Sequence, residues 1–230
     1  MTRTKGSTIY LPKGTKCGII KNMEKRKRRK KASKTSGPVG RPRSFDTDRA
    51  LDHALQVFWR KGYEGASLSD LTKAMEINRP SLYAAFGDKE TLFRKALDRY
   101  FQGPAACVFA ALKEPKARTA MARLLSATAE LQTCPSTPGC LTVHGALACG
   151  DTAAAIRKEL TLRREQGEAA IYQRLKQAKS EGDLPPGSNP ADLARYFATV
   201  IQGMAVQAAG GASRAELERV VQTALRVWPK

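Results

Sequence analysis

Residues 67–93 read SLSDLTKAMEINRPSLYAAFGDKETLF and carry clear helix signals. Ser67 precedes a short run with apolar residues at helical spacing, so it fits the start of a first helix. Asn78 is a good N-cap for a second helix, and Pro80 is tolerated in the first turn of that helix because no N–H is needed there. The segment therefore predicts two short helices joined by a tight turn at Glu76-Ile77-Asn78.

The second of these helices has an inward and an outward face. Leu82 and Phe86 are four residues apart and are expected to pack inward. In a helix-turn-helix the second helix enters the major groove, the only groove whose edges distinguish all four base pairs. Spacing alone fits a plain three-helix bundle equally well. The expected outward face carries Arg79, Ser81, Tyr83, Ala84 and Ala85.

Helical patterns continue on both sides of this segment. An earlier helix begins near Asp46 and stops at Gly62, and a fourth runs to about Gln102. No stretch of the sequence alternates as a strand does. The predicted class is all-α, with a helix-turn-helix domain at 44–102 and a C-terminal helical domain at 103–230. Helices of that second domain are expected at about 105–112, 117–131, 141–148, 152–181, 190–208 and 213–227.

About a quarter of the chain resembles the DNA-binding domain of the TetR/AcrR transcriptional regulators. The resemblance implies an all-α homodimer that binds operator DNA. It rests on Gly40-Arg41-Pro42-Arg43, Ala54-Leu55-Gln56-Val57-Phe58, Lys61-Gly62-Tyr63, Ser67-Leu68-Ser69-Asp70-Leu71 and the run from Pro80 to Phe93.

The resemblance also implies roles for individual residues. Tyr83 would contact phosphate, and Lys89 in the first turn of the fourth helix would clamp the DNA backbone. One departure is Glu76, which stands where the family commonly has glycine, so a left-handed backbone there would be mildly strained. The expected DNA-binding residues are Arg41, Arg43, Ser67, Ser69, Arg79, Pro80, Ser81, Tyr83 and Lys89.

Positive charge is concentrated in the tail at residues 1–43. This tail holds 15 of the 40 Lys and Arg residues and one of the 21 acids, Glu24, so it carries +14 of the net charge of +19. Its basic run, 25–31, repels itself, and we expect a disordered arm that attracts nucleic acid without reading sequence. Met23 offers an alternative start that would leave residues 1–22 untranslated. A protein that coats nucleic acid through this arm alone is the alternative function.

The C-terminal part is expected, from the resemblance, to dimerise through a four-helix bundle and to enclose an effector pocket. The dimer candidates are helices 190–208 and 213–227, although their apolar faces fit a monomer core equally well. One face carries Phe197, Val200, Ile201, Met204 and Ala208, and the other carries Leu217, Val220, Val221, Ala224 and Leu225.

A cysteine- and histidine-containing segment opens the helix at 141–148. Cys140 and His144 are four residues apart on one helix face, and Cys134 lies just upstream. The Gly-Cys-Leu text resembles one TetR subgroup whose effectors are diverse. Three interpretations stay open: small buried hydrophobes, a thiol sensor, and a soft-metal site for Cu(I) or Zn²⁺.

Other functional classes find little support in the sequence. The five cysteines are odd in number and irregular in spacing, so free thiols are expected rather than a disulfide scaffold. No apolar run has membrane length and no secretory signal is evident, so a cytoplasmic protein is expected. No nucleophile motif or phosphate loop indicates an enzyme, and no cofactor is expected. The sequence predicts a transcriptional repressor released from its operator by a small-molecule, electrophile or metal effector.

Overall fold

The computed structural model describes residues 45–147, 150 and 153–229. In that part of the chain the secondary structure is helical, without a strand, which confirms the predicted all-α class. The tail at 1–43, with Arg41 and Arg43, lies outside the described residues. The helices are α1 Thr47–Gly65, α2 Leu68–Met75, α3 Arg79–Phe86, α4 Lys89–Gln102, α5 Ala106–Ala110, α6 Ala117–Gln132, α7 Leu141–Leu147, α8 Ala154–Ser180, α9 Pro190–Ala209 and α10 Arg214–Ala224, with 3₁₀ turns at Ala111–Lys113 and Leu225–Val227.

The helices of the first part begin at polar caps. The Asp46 carboxylate accepts hydrogen bonds from the N–H groups of Asp48 and Arg49, and the Asp88 carboxylate accepts from Thr91 N at 2.7 Å. Each cap satisfies an N–H that the helix itself leaves unpaired. At Gly62 the helix α1 kinks with φ 69° and ψ −177°, a conformation that favours glycine. The sequence analysis predicted that this helix ends at Gly62, but after the kink it continues to Gly65.

Aromatic contacts hold α1 against α4 in the first hydrophobic core. The rings of Phe58 and Phe93 meet edge to face at 5.0 Å, and both side chains are fully buried. The predicted domain boundary at residue 102 coincides with the end of α4. The first core nevertheless includes residues from beyond that boundary. Leu141, Ile156 and Leu160 from the second part belong to it. The start of the C-terminal part is thus packed directly on the helix-turn-helix part.

The second core joins α6, α8, α9 and α10, and it includes the apolar faces that were dimer candidates. Phe197 and Met204 on α9 and Leu217 and Val221 on α10 are almost completely buried within one chain. The dimer interpretation of these stripes is therefore wrong for most of their residues, and the monomer-core interpretation is correct. Periodicity shows that a face is buried but not what buries it. Large apolar side chains left exposed on α9, on α10 and in the 3₁₀ turn that follows are Val206, Val220 and Val227.

No helix in the described part of the chain is both long and apolar enough to span a membrane.

Candidate nucleic-acid interface and cavity

The turn between α2 and α3 lies where the sequence predicted it. Glu76 adopts φ 57° and ψ 37°, and it is the one residue other than glycine with positive φ among those described. A left-handed conformation costs a residue with a Cβ about 1–2 kcal/mol. The Glu76 carboxylate forms an exposed ion pair with Arg49 at 3.5 Å, which offsets little of that cost.

Helix α3 presents the outward face expected of a recognition helix. Leu82 is fully buried and Phe86 nearly so, whereas Tyr83 is 49% exposed. The Asn78 side chain accepts from Ser81 N at 2.9 Å, which confirms the predicted cap. The buried pair fixes the rotation of the helix about its axis. Arg79, Pro80 and Ala84 are exposed and Ser81 is half-buried. Ala85 is half-buried and packs against the core, so its predicted outward position is wrong.

At the start of α2 the structure contains an acid that the sequence analysis missed. The Ser67 hydroxyl accepts from Asp70 N at 3.0 Å and donates to Asp70 Oδ2 at 2.7 Å, while Lys61 Nζ lies 2.8 Å from Asp70 Oδ1. Hydrogen bonds from Lys61 and then Ser67 hold the pKa of Asp70 well below its usual range. The Ser-x-x-Asp spacing was the available signal for this capping box. Because Ser67 is engaged, exposed Ser69 is better placed for a phosphate.

Lys89 lies at the start of α4 beside the end of α1. Its ammonium lies 4.7 Å from the ring centroid of Tyr63 and 3.5 Å from the backbone oxygen of Glu64. Partial burial lowers the pKa of Lys89, and the Glu64 carboxylate opposes this shift. These contacts fix the ammonium at the edge of the motif, and its role as a phosphate clamp stays a prediction.

A second feature is a cavity of about 100 Å³ in the C-terminal part. It lies between α4, α5, α6, α8, α9 and the start of α7, and most of its wall is apolar. Tyr100 is buried there, which raises the pKa of its phenol and keeps it protonated. The polar and charged residues of the wall are Tyr100, Thr128, Gln132, Cys140, Thr142, Arg163, Arg164, Glu168 and Gln202.

Of the three candidate sensor residues, Cys140 lines this cavity. Its sulfur lies 3.6 Å from Tyr100 Oη and 3.2 Å from Thr142 Oγ1. The buried Cys134 has a different neighbour, since its sulfur lies 3.2 Å from Ser136 Oγ. Burial raises the pKa of Cys134, but hydrogen bonds with Ser136 and Thr137 outweigh it and leave this pKa lowered.

His144 has different neighbours from those of the Cys140 sulfur. Its ring lies against Gly139, where an added Cβ would come within 2.0 Å of the ring, and it hydrogen-bonds the backbone of Ala205. Burial lowers the pKa of His144, so the ring is neutral at pH 7. Within the described ranges no three His, Cys, Asp or Glu side chains are grouped to hold a metal ion, and Cys149 lies outside those ranges. Cys107, Cys134 and Cys140 are free thiols, as predicted.

Hydrogen bonds flanking both ends of α7 tie this helix to α1. Trp59 Nε1 donates to Gly139 O at 3.3 Å, and Gly150 N donates to Glu64 Oε2 at 2.9 Å. The Trp59 ring also meets Tyr100 edge to face at 4.7 Å. The wall of the cavity is therefore in direct contact with the helix that supports the helix-turn-helix.

Comparison with known proteins identifies the chain. The model of the bacterial regulatory proteins, tetR family, matches residues 50–96, and that of the tetracyclin repressor-like C-terminal domain matches residues 115–224. The HTH-type transcriptional repressor ComR of Escherichia coli strain K12 is 38% identical over 194 residues, which are 83% of this chain and 92% of ComR.

Solved structures agree with this match. A cysteine mutant of the TetR family transcriptional regulator CifR, complexed with 26-bp double-strand operator DNA, superposes with a TM-score of 0.79. It is 43% identical, and the match covers 82% of this chain and all of that one. A putative TetR regulator from Rhodococcus sp. RHA1 is 42% identical with a TM-score of 0.55, and the match covers 80% of this chain and all of that one.

The helix-turn-helix on an all-helical body, together with these relatives, defines a DNA-binding transcriptional regulator and not an enzyme. The chain belongs to the TetR family of bacterial regulatory proteins.

Proposed function

We propose that this regulator is a cytoplasmic, homodimeric repressor that binds an operator through paired helix-turn-helix motifs. The observation that carries the proposal is the outward face of α3, which is held toward solvent by buried Leu82 and Phe86. The names of ComR, a repressor, and of the CifR complex with operator DNA support the same role. Single motifs read few bases, and a two-fold dimer reads two half-sites about 34–36 Å apart.

The dimer interface is proposed on the side of α9 and α10 that the monomer core leaves open. Val206 on α9 and Val220 on α10 are 49% and 42% exposed, and Val227 follows at 54%. Gly203 on α9 is also exposed and allows close approach of a partner helix. Exposed apolar side chains on neighbouring helices are typical of an interface between copies.

The proposed effector site is the cavity in the C-terminal part. It is concave and mostly apolar with a few polar groups, as small-molecule sites usually are. Contact between its wall and α1 gives occupancy a route to the DNA-binding part. The proposed effector is a small molecule. Because the thiol of Cys140 lies in the wall, the effector could be an electrophile that reacts with this thiol.

The tail distinguishes this proposal from non-specific coating. An operator is first selected from a randomised duplex library, and the full chain is compared with a variant lacking residues 1–39, which removes 13 basic residues and one acid. We expect the variant to bind more weakly at low salt and with a shallower salt dependence, because fewer phosphates are neutralised. Its preference for operator over random DNA should be unchanged.

Fluorescence anisotropy at several salt concentrations measures both quantities, and sedimentation gives the number of chains per operator. Two chains per operator and a retained preference support the homodimeric repressor. Loss of all sequence preference on deletion would favour the coating protein instead. An unchanged salt dependence would show that the tail does not contact DNA.

Cys140→Ser tests the thiol form of the effector. The variant should bind operator normally but resist release by N-ethylmaleimide or hydrogen peroxide, because the nucleophilic sulfur in the cavity wall is gone. The control is Cys107→Ser, since the Cys107 sulfur contacts Pro104 O at 3.1 Å and lies outside the cavity wall. Anisotropy follows release, and mass spectrometry locates the modified residue. Equal release of the Cys140→Ser protein and the parent would mean that Cys140 only packs.

A further inference from the structure

The charged residues of the cavity wall already have partners. Arg163 pairs with Asp98 at 2.6 Å, and Glu168 pairs with Arg195 at 3.0 Å. Arg164 donates to Thr142 O at 2.7 Å and to a neighbouring hydroxyl of its own helix. Burying an ionised ligand without an opposing charge is costly. Glu168, the acid of the wall, is already paired, so the wall does not favour a cationic ligand.

Gln132 is the exception among the polar groups of the wall. The residue is 2% exposed, and its Nε2 donates to Ile201 O at 3.1 Å. Since a carbonyl oxygen can only accept, this bond fixes which end of the amide is the donor. The other end, Oε1, is buried and has no hydrogen-bond partner among the described residues. A buried acceptor without a donor is rare and destabilising.

Three neighbouring hydroxyl groups of the wall do not share this property. The Thr128 hydroxyl donates to Leu124 O within its own helix, at 2.7 Å. Tyr100 and Thr142 both have the Cys140 sulfur as a neighbour. A ligand that enters the cavity thus meets mainly apolar side chains, and Gln132 contributes to the wall a buried acceptor that lacks a donor.

We infer that the cavity binds a small, mainly apolar molecule with one N–H or O–H group, which donates a hydrogen bond to Gln132 Oε1. The inference rests on the proposed function and names the ligand class of its effector site. The size follows from the volume, about 100 Å³. An apolar cavity of about 150 Å³ holds one benzene, so a five-membered ring is of the right scale.

Pyrrole and furan form a matched pair of probes for this assignment. The two rings have nearly the same shape, but pyrrole offers an N–H donor and furan offers only an oxygen acceptor. We expect calorimetric titration of the full chain to give a Kd for pyrrole at least about fivefold lower than for furan. Equal affinity for the two rings would overturn the inference.

Two variants assign the preference to Gln132. Gln132→Met keeps the length of the side chain and removes the amide, so it should bind both rings equally. Thr133→Val, next in the chain but outside the cavity wall, should keep the preference of the parent because its hydroxyl already donates to Ala129 O. A Gln132→Met protein that still prefers pyrrole would contradict the role of Gln132. If this variant does not fold, amide NMR of the parent decides: the Gln132 side-chain resonance should shift with pyrrole and not with furan.

Operator release is measured separately by anisotropy. Gln132-dependent binding of pyrrole without release would leave the ligand class standing and would contradict the effector role in the proposed function. Release by another agent, with no preference of the cavity for pyrrole over furan, would support the effector role and would contradict the ligand class.

Discussion

Arg79→Ala should weaken operator binding by about 1–3 kcal/mol and relax base choice at one position in each half-site. Arg79 is the first residue of α3, and the N-terminal residues of a recognition helix are those that meet base edges. The side chain is exposed, and no ion pair or hydrogen bond holds its guanidinium within the described helices. Its forked donors match guanine O6 and N7.

Contacts to phosphate should behave differently from this base contact. Tyr83→Phe and Lys89→Ala should weaken binding to all sequences about equally, because phosphates carry no base identity. Leu82→Ala removes a fully buried side chain and should lower the free energy of unfolding by about 2–5 kcal/mol. This variant is the control that shows how binding changes when the domain is destabilised.

Binding to a randomised operator library, with folding checked by circular dichroism, separates these variants. A folded Arg79→Ala protein that selects the same sites with the same affinity would show that α3 is not the reading helix. Loss of binding in that variant together with loss of helicity would instead indicate a structural role for Arg79.

The helix-turn-helix could be predicted from the sequence because its determinants are local. The Asn78 cap acts within three residues, and the Leu82–Phe86 pair within one helical turn. The family pattern drew attention to Glu76 as a position where a left-handed backbone would be strained, and Glu76 does adopt that conformation. The capping box of Ser67 and Asp70 is equally local, and its Ser-x-x-Asp spacing is visible in the sequence.

The remainder depends on contacts between residues far apart in the chain. Gln132 and Ile201 are 69 residues apart, and no periodicity indicates that one amide oxygen stays without a donor. The apolar faces of α9 and α10 could be found from spacing, but their partner could not, because a core helix and a dimer helix are both amphipathic. The exposed valines became evident only once the monomer core was known.

Trp59→Phe should uncouple the cavity from the DNA-binding part while leaving both folded. Trp59 is 4% exposed on α1, and its indole N–H donates to Gly139 O next to α7. Phenylalanine retains most of the ring packing on Tyr100 but leaves the buried Gly139 carbonyl without its donor, which costs about 1–3 kcal/mol. Occupancy of the cavity would then move Tyr100 and α7 without moving α1.

In the absence of ligand, the affinity of the variant for operator should be unchanged. The ligand concentration that releases half of the operator should rise about 5–150-fold, which is the usual effect of losing the coupling between two sites. Pyrrole is the reversible probe, and anisotropy of labelled operator is the readout. By linkage, operator should also cease to weaken pyrrole binding in the calorimeter. Trp228→Phe is the control, since that ring packs 6.2 Å from Phe197 in the second core and has no bond to α1 in the described structure. A folded Trp59→Phe protein that releases operator at the same pyrrole concentration as the parent would mean that the signal reaches the reading helices by another route, through the length of α4.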